Sequence, residues 1–202
     1  MLEKRRSTFP LKAMLADTGL KNYVVEFARA LRASDSIHPL VLAIPSPRYW
    51  IGLAFSLVNG ANPAPEVGED EIDTASVYVA DFLRSFGEIG IDAVMLEESL
   101  GEEPKSSDEL GWYQPVLNLA AHYRWDIGLR MPSTAFDLKI EEGVDFVIAP
   151  DGMSVHTKGV ALADAFLRGE APPGIPAGSF YYVRIPQDAK PEQVLERLAL
   201  LR

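Results

Sequence analysis

The chain has 202 residues, 48% of them apolar and 24% charged, with 15 glycines and 15 prolines. Those are the proportions of a globular protein that hides roughly 70% of its unfolded surface, and they exclude a wholly disordered or collagen-like chain. With 19 lysines and arginines against 29 aspartates and glutamates the net charge is −10, and cysteine is absent, so nucleic-acid binding, disulfides, thiolate zinc sites and cysteine nucleophiles are not expected.

No apolar run approaches the ~20 residues that span a bilayer, and no apolar segment follows the charges of Met1 to Pro10. The expectation is a cytoplasmic protein with neither membrane nor nucleic-acid partners. Lys21 to Ala33 patterns as an amphipathic helix within an N-terminal helical segment, residues 1–37. The apolar run His38 to Ile44 then reads as a strand, closed by Pro45-Ser46-Pro47. Arg48 to Val58 is apolar almost all round and predicts a buried helix. An acidic, proline-bearing loop, Asn62 to Asp73, leads to a helix over Asp73 to Ile89. There Val77, Ala80, Phe82, Leu83 and Phe86 share helical spacing, and Gly90 stands at the C-cap position.

Ile91 to Leu96 is the second strand, followed by the acidic loop Ser99 to Glu109. Asp126 to Met131 is the third, stopped by Pro132. Thr134 to Glu142 patterns as a helix ending at Gly143, and Val144 to Ala149 is the fourth strand, stopped by Pro150. Val160 to Leu167 is predicted helical ahead of Gly169, and Pro172 to Pro176 is a loop. Ser179 to Ile185 is the fifth strand, and Pro191 to Leu201 is a helix opened by a proline at a permitted early position.

Runs this apolar, without polar alternation, suit strands covered on both faces, as in a parallel sheet with right-handed helical crossovers. The fold class is therefore α/β, a single domain over residues 1–202 whose parallel βα units occupy residues 38–202. Five strands fall short of the eight of a complete barrel, which takes about 250 residues. Either the architecture is a partial, TIM-barrel-like one or the sheet is open and doubly wound.

Four segments carry a family resemblance. PLVLAIPSPRYWIGLAF resembles a barrel strand and following helix of the uroporphyrinogen decarboxylases. VADFLRSFGEIGIDAVMLEE resembles the helix–glycine–strand step that those enzymes share with the cobalamin-independent methionine synthases. GVDFVIAP resembles the next-to-last strand of both families, and FYYVRIPQDAKPEQVLERL the last strand and its helix. The resemblance spans roughly residues 38 to 201, the later barrel strands, and no counterpart of the early strands is found. It implies a barrel-type fold and cofactor-independent chemistry, decarboxylation or a related group transfer, on a small anionic organic molecule. By family position Glu97 matches a substrate-facing aspartate. The synthases' zinc ligands are missing by residue type: the third strand reads GLRM, and Ala149-Pro150 stands where their glutamate belongs. Neither a catalytic metal nor a cofactor is therefore expected.

In parallel α/β folds ligands meet the loops after the strands. Those positions hold Arg48 and Tyr49, Glu97 and Glu98, Arg130 and Ser133, Asp151, and Arg184. Arginine binds a carboxylate or phosphate as a fork, and a carboxylate moves protons. Glu97 and Glu98 are thus the catalytic candidates, and Arg48, Tyr49, Arg130, Asp151 and Arg184 the substrate-binding ones. Structural roles compete at each position. Alternation along a strand turns only one of the two glutamates into a pocket, Arg130 could serve as a carboxylate's partner, and Arg48 fits an exposed helix start. Asp151-Gly152 is a common turn pair.

His38 reads as a surface residue and His122 as a packed core histidine. The run from Asp151 through Ser154 to His156 lacks the Gly-x-Ser-x-Gly elbow of a triad enzyme. No glycine-rich phosphate loop and no paired-histidine metal motif occurs. The tryptophans and the Tyr181-Tyr182 pair read as packing residues. An alternative to enzymatic function is a non-catalytic subunit or ligand-binding module that keeps part of the barrel scaffold. The uncharged first strand and the fifth would leave open sheet edges, which predicts a homodimer or a partner chain supplying the missing strands.

Overall fold

The computed structural model describes residues 7–60, 67–100, 104, 106–132, 143–150 and 159–201. Six strands form one sheet: β1 (Val41–Pro45), β2 (Ala93–Glu97), β3 (Asp126–Arg130), β4 (Phe146–Pro150), β5 (Gly159–Leu162) and β6 (Phe180–Val183). Every pairing is parallel and the strand order is the chain order. A doubly wound sheet reverses its order at a switch point; this one does not, and it curls into a half-barrel. Between β1 and β6, the partial-barrel alternative is the one realised.

The helices are α1 (Phe9–Leu15), α2 (Thr18–Ser34), α3 (Pro47–Asn59), α4 (Glu69–Leu83), α5 (Ser107–Leu110), α6 (Gln114–Tyr123), α7 (Asp164–Leu167) and α8 (Pro191–Leu198). α2 and α3 start at short polar side chains that satisfy otherwise unpaired N–H groups. Asp17 accepts from the Leu20 amide at 2.7 Å, and Ser46 from the Tyr49 amide at 3.1 Å. Glu71 reaches back to the Gly68 amide at 3.1 Å. α6 ends at Arg124, which takes the left-handed conformation (φ 60°) more often given to glycine.

Alternation gives the sheet two different faces. Leu96, Ile127, Leu129, Val147 and Ala149 point toward the helices and join one core with Ile51 of α3, Val79 of α4 and Val116 of α6. Each fully buried leucine, isoleucine or valine among them contributes roughly 1.5–3 kcal/mol. The inner face carries Met95, Ile148 and two aromatic rings, Phe146 and Phe180, which meet edge to face at 6.0 Å. Two glycines make room for those rings. A Cβ on Gly128 would stand 2.2 Å from the Phe146 ring, and one on Gly159 would stand 2.9 Å from Phe180.

Several sequence expectations are corrected. Over the described residues the sheet has six strands, not five, because Gly159–Leu162 is β5 and only Asp164–Leu167 of the predicted helix over Val160 to Leu167 is helical. A four-residue apolar run has no periodicity by which to tell strand from buried helix. The acidic stretch to Asp73 is not all loop: α4 begins at Glu69, with Glu69, Asp70 and Glu71 in its first turn, where the helix dipole favours them. Part of the Ser99 to Glu109 loop is likewise helical, as α5. His122 is exposed rather than packed in the core, its ring edge-on to Tyr123 at 4.9 Å. The helix predicted over Thr134 to Glu142 lies outside the described residues.

Candidate functional site

The C-terminal end of β2 carries the two glutamates, and the pleat separates them. Glu97 follows Met95 onto the inner face. Its register neighbour on β3 is Arg130, whose Nη1 lies 3.6 Å from Glu97 Oε1. The Nη2 of Arg184, one residue beyond β6, lies 3.5 Å from Glu97 Oε2. One carboxylate thus stands between two guanidinium groups brought from strands that are far apart in the sequence. The side chains of Glu97 and Arg130 are largely sheltered, at 14% and 20% exposure, whereas that of Arg184 is 65% exposed. The Arg130 guanidinium also lies over the Tyr182 ring at 5.6 Å, and its buried Nε has no hydrogen-bond acceptor among the described residues.

Glu98 follows Leu96 toward the helices and is 2% exposed. The Ser46 hydroxyl donates to its Oε2 and the Tyr113 hydroxyl to its Oε1, each at 2.7 Å. Its backbone N–H donates to the Arg130 carbonyl at 3.0 Å, which ties the end of β2 to β3. Burial, followed by the charge of Glu98, pushes the Tyr113 phenol well above its ordinary range. Ser46 has two tasks here. It caps α3 and donates to Glu98, fixing the β1–α3 turn to the end of β2.

Arg48, in the first turn of α3, pairs with Glu109 of α5 and lies over the Trp112 ring at 5.4 Å. It is a sheltered cation, not the exposed helix start that its position suggests. Tyr49 beside it is half-buried. Two clusters result: Glu97, Arg130, Arg184 and Tyr182 on the inner side of the strand ends, and Glu98, Ser46 and Tyr113 on the helix side. The second of these is sealed. Asp151, Ser133, Ser154 and His156 lie outside the described residues.

Sequence reasoning missed Tyr182, Ser46 and Tyr113 as members of these clusters. Ser46 stands directly after a strand, so position alone was a signal; Tyr113 comes from a turn with no motif. A separate groove of about 790 Å³ opens between α1, α4 and α6, lined by Lys12, Tyr78 and His122 among others, and includes none of the strand-end residues. Among the described residues no group of three or more histidine, aspartate or glutamate side chains is arranged to hold a metal ion. No described helix is long and apolar enough to cross a membrane.

Fold and site together define an α/β protein with a parallel half-barrel and a charged cluster at its strand ends. No protein-family model matches the chain, and no characterised protein or solved structure resembles it beyond chance.

Proposed function

We propose that the inner strand ends bind a small organic anion and that Glu97 exchanges a proton with it, in a cofactor-independent decarboxylation or related group transfer. The observation that carries this reading is the single carboxylate between Arg130 and Arg184, at 3.6 and 3.5 Å. Direct charge-assisted hydrogen bonds run about 2.7–2.9 Å, so neither guanidinium is fully engaged by Glu97. Each retains N–H groups for an incoming carboxylate, which the planar fork of arginine matches. In a decarboxylation the arginines anchor a carboxylate other than the departing one. The carbon–carbon bond to the departing group breaks, carbon dioxide leaves, and the electron pair left on carbon takes a proton that the Glu97 carboxylate relays from water, the remaining hydroxide combining with carbon dioxide as bicarbonate.

A second reading, a binding module without turnover, draws on the engaged state of the neighbouring charges. Arg48 is held by Glu109 and Trp112, and Glu98 by Ser46 and Tyr113, which leaves Glu97 to act without a second inner carboxylate from β2. Thermal denaturation with a panel of di- and tricarboxylates tests both readings. A ligand that raises the melting temperature and releases carbon dioxide in the wild type, but is bound without release by Glu97→Gln, supports the enzyme. Binding without release in both supports the module. No shift with any member overturns both.

A further inference from the structure

We propose that α2 is the contact helix of a two-fold homodimer, its Leu20–Tyr23–Phe27–Leu31 face packing antiparallel on the same face of a second copy. α2 touches the protein core through Val24, Val25 and Ala28, yet its apolar surface extends well beyond them. Leu20, Tyr23, Phe27 and Leu31 are 43%, 73%, 57% and 41% exposed. At helical spacing they fall within an arc of about 80°. The other residue in that arc, Ser34, is uncharged, as is Ala30 at its border. Glu26 borders the arc, about 60° beyond Tyr23, and is paired at 2.9 Å with Arg29 on the far side.

Three arguments select a second copy as the occupant. Copies of a chain with net charge −10 repel each other over most of their surface, whereas the arc of this face carries no charge and its bordering Glu26 is paired with Arg29. A two-fold interface must also be self-complementary, and the pattern leucine, aromatic, aromatic, leucine reads the same in both directions. Antiparallel pairing about the middle of the stripe therefore sets Leu20 against Leu31 and Tyr23 against Phe27 of the other copy. Finally, the four side chains leave on the order of 500 Å² exposed per copy, about 1,000 Å² across the two-fold, where specific interfaces begin.

This surface is distinct from the open edges of β1 and β6, and the test separates them. Light scattering of the full chain from low to high micromolar concentration is expected to show a species of twice 22.2 kDa. Phe27→Glu should return it to the monomer with an unchanged circular dichroism spectrum, while Leu57→Glu, at an exposed position of α3, should not. Because the chain has no cysteine, Tyr23→Cys and Phe27→Cys can be oxidised separately and mixed. The mixture should cross-link faster than either variant alone. A monomer at every concentration overturns the proposal, as does a dimer that survives both Phe27→Glu and Leu20→Glu. Equal cross-linking of the single variants and the mixture overturns the antiparallel arrangement.

Discussion

Glu97 and Glu98 are neighbours in the chain and lie on opposite faces of the sheet, one between two arginines and the other sealed beneath two hydroxyl groups. The pleat alone produces this division of surroundings. It also makes substitutions at the two positions report on different properties, ligand binding at one and stability at the other.

Arg130→Lys should weaken binding of whichever di- or tricarboxylate stabilises the wild type by about tenfold, about 1.4 kcal/mol, because an ammonium cannot reproduce the planar fork. The folded spectrum should stay unchanged. Isothermal titration of the two proteins checks this, and equal affinities would remove Arg130 from the site.

Tyr113→Phe should cost about 1–3 kcal/mol in urea unfolding, because it removes a hydroxyl donor from a buried carboxylate. The wild-type phenol is held above its ordinary range by burial and by Glu98. Its contribution is therefore complete below about pH 10 and is lost as pH rises through the folded-state value. Phenolate absorbance should show this tyrosine ionising later than the exposed ones. Ionisation of this phenol within its ordinary range would contradict the buried pairing.

Gly128→Ala should destabilise the fold by about 1–3 kcal/mol, since the added methyl overlaps the half-buried Phe146 ring and forces it off its edge-to-face contact with Phe180. The double variant Gly128→Ala, Phe146→Leu should recover part of that loss. Chemical unfolding of the four proteins in the cycle would measure the coupling, and additive effects would show that the two positions do not touch.

Asp35 caps the turn after α2, and its carboxyl is lowered from 3.8 to about 2, first by the His38 backbone N–H, then by the His38 ring and the Ile37 N–H. Because the folded value lies below the unfolded one, the stability it contributes is present above about pH 4. It disappears as pH falls toward 2. Asp35→Asn should flatten that part of the acid limb. Carboxyl chemical shifts followed from pH 5 to 1.5 by NMR should place the midpoint of Asp35 below those of the exposed carboxylates.

The strands most legible in the sequence were those with long apolar runs ended by proline or by charge. Ile91 to Leu96 is one, and four of its residues form the buried part of β2. β5 was not legible, because Gly159 to Leu162 is shorter than either period needs and Ala161 favours a helical reading. Strand-end position brought Glu97, Arg130 and Arg184 into consideration, since parallel strands deliver their ends to one side. Which glutamate faced inward depended on the phase of the pleat, and apolar residues on both faces of β2 conceal that phase. Tyr113 reaches Glu98 from a turn whose placement is set by the packing of α4 against α6, a long-range contact that no local pattern encodes.

Strand order that never departs from chain order also bears on how the molecule assembles in time. Val41 meets Ala93, Ala93 meets Asp126, and each later strand joins the one just before it. No pairing has to wait for a distant part of the chain, so loop-closure entropy is met in modest steps and the contact order stays low for a parallel sheet. On a ribosome, the β1–β2 unit can pair before β6 has been translated. A stop in the final unit would remove an edge strand and leave the remaining ladder with all its own pairings.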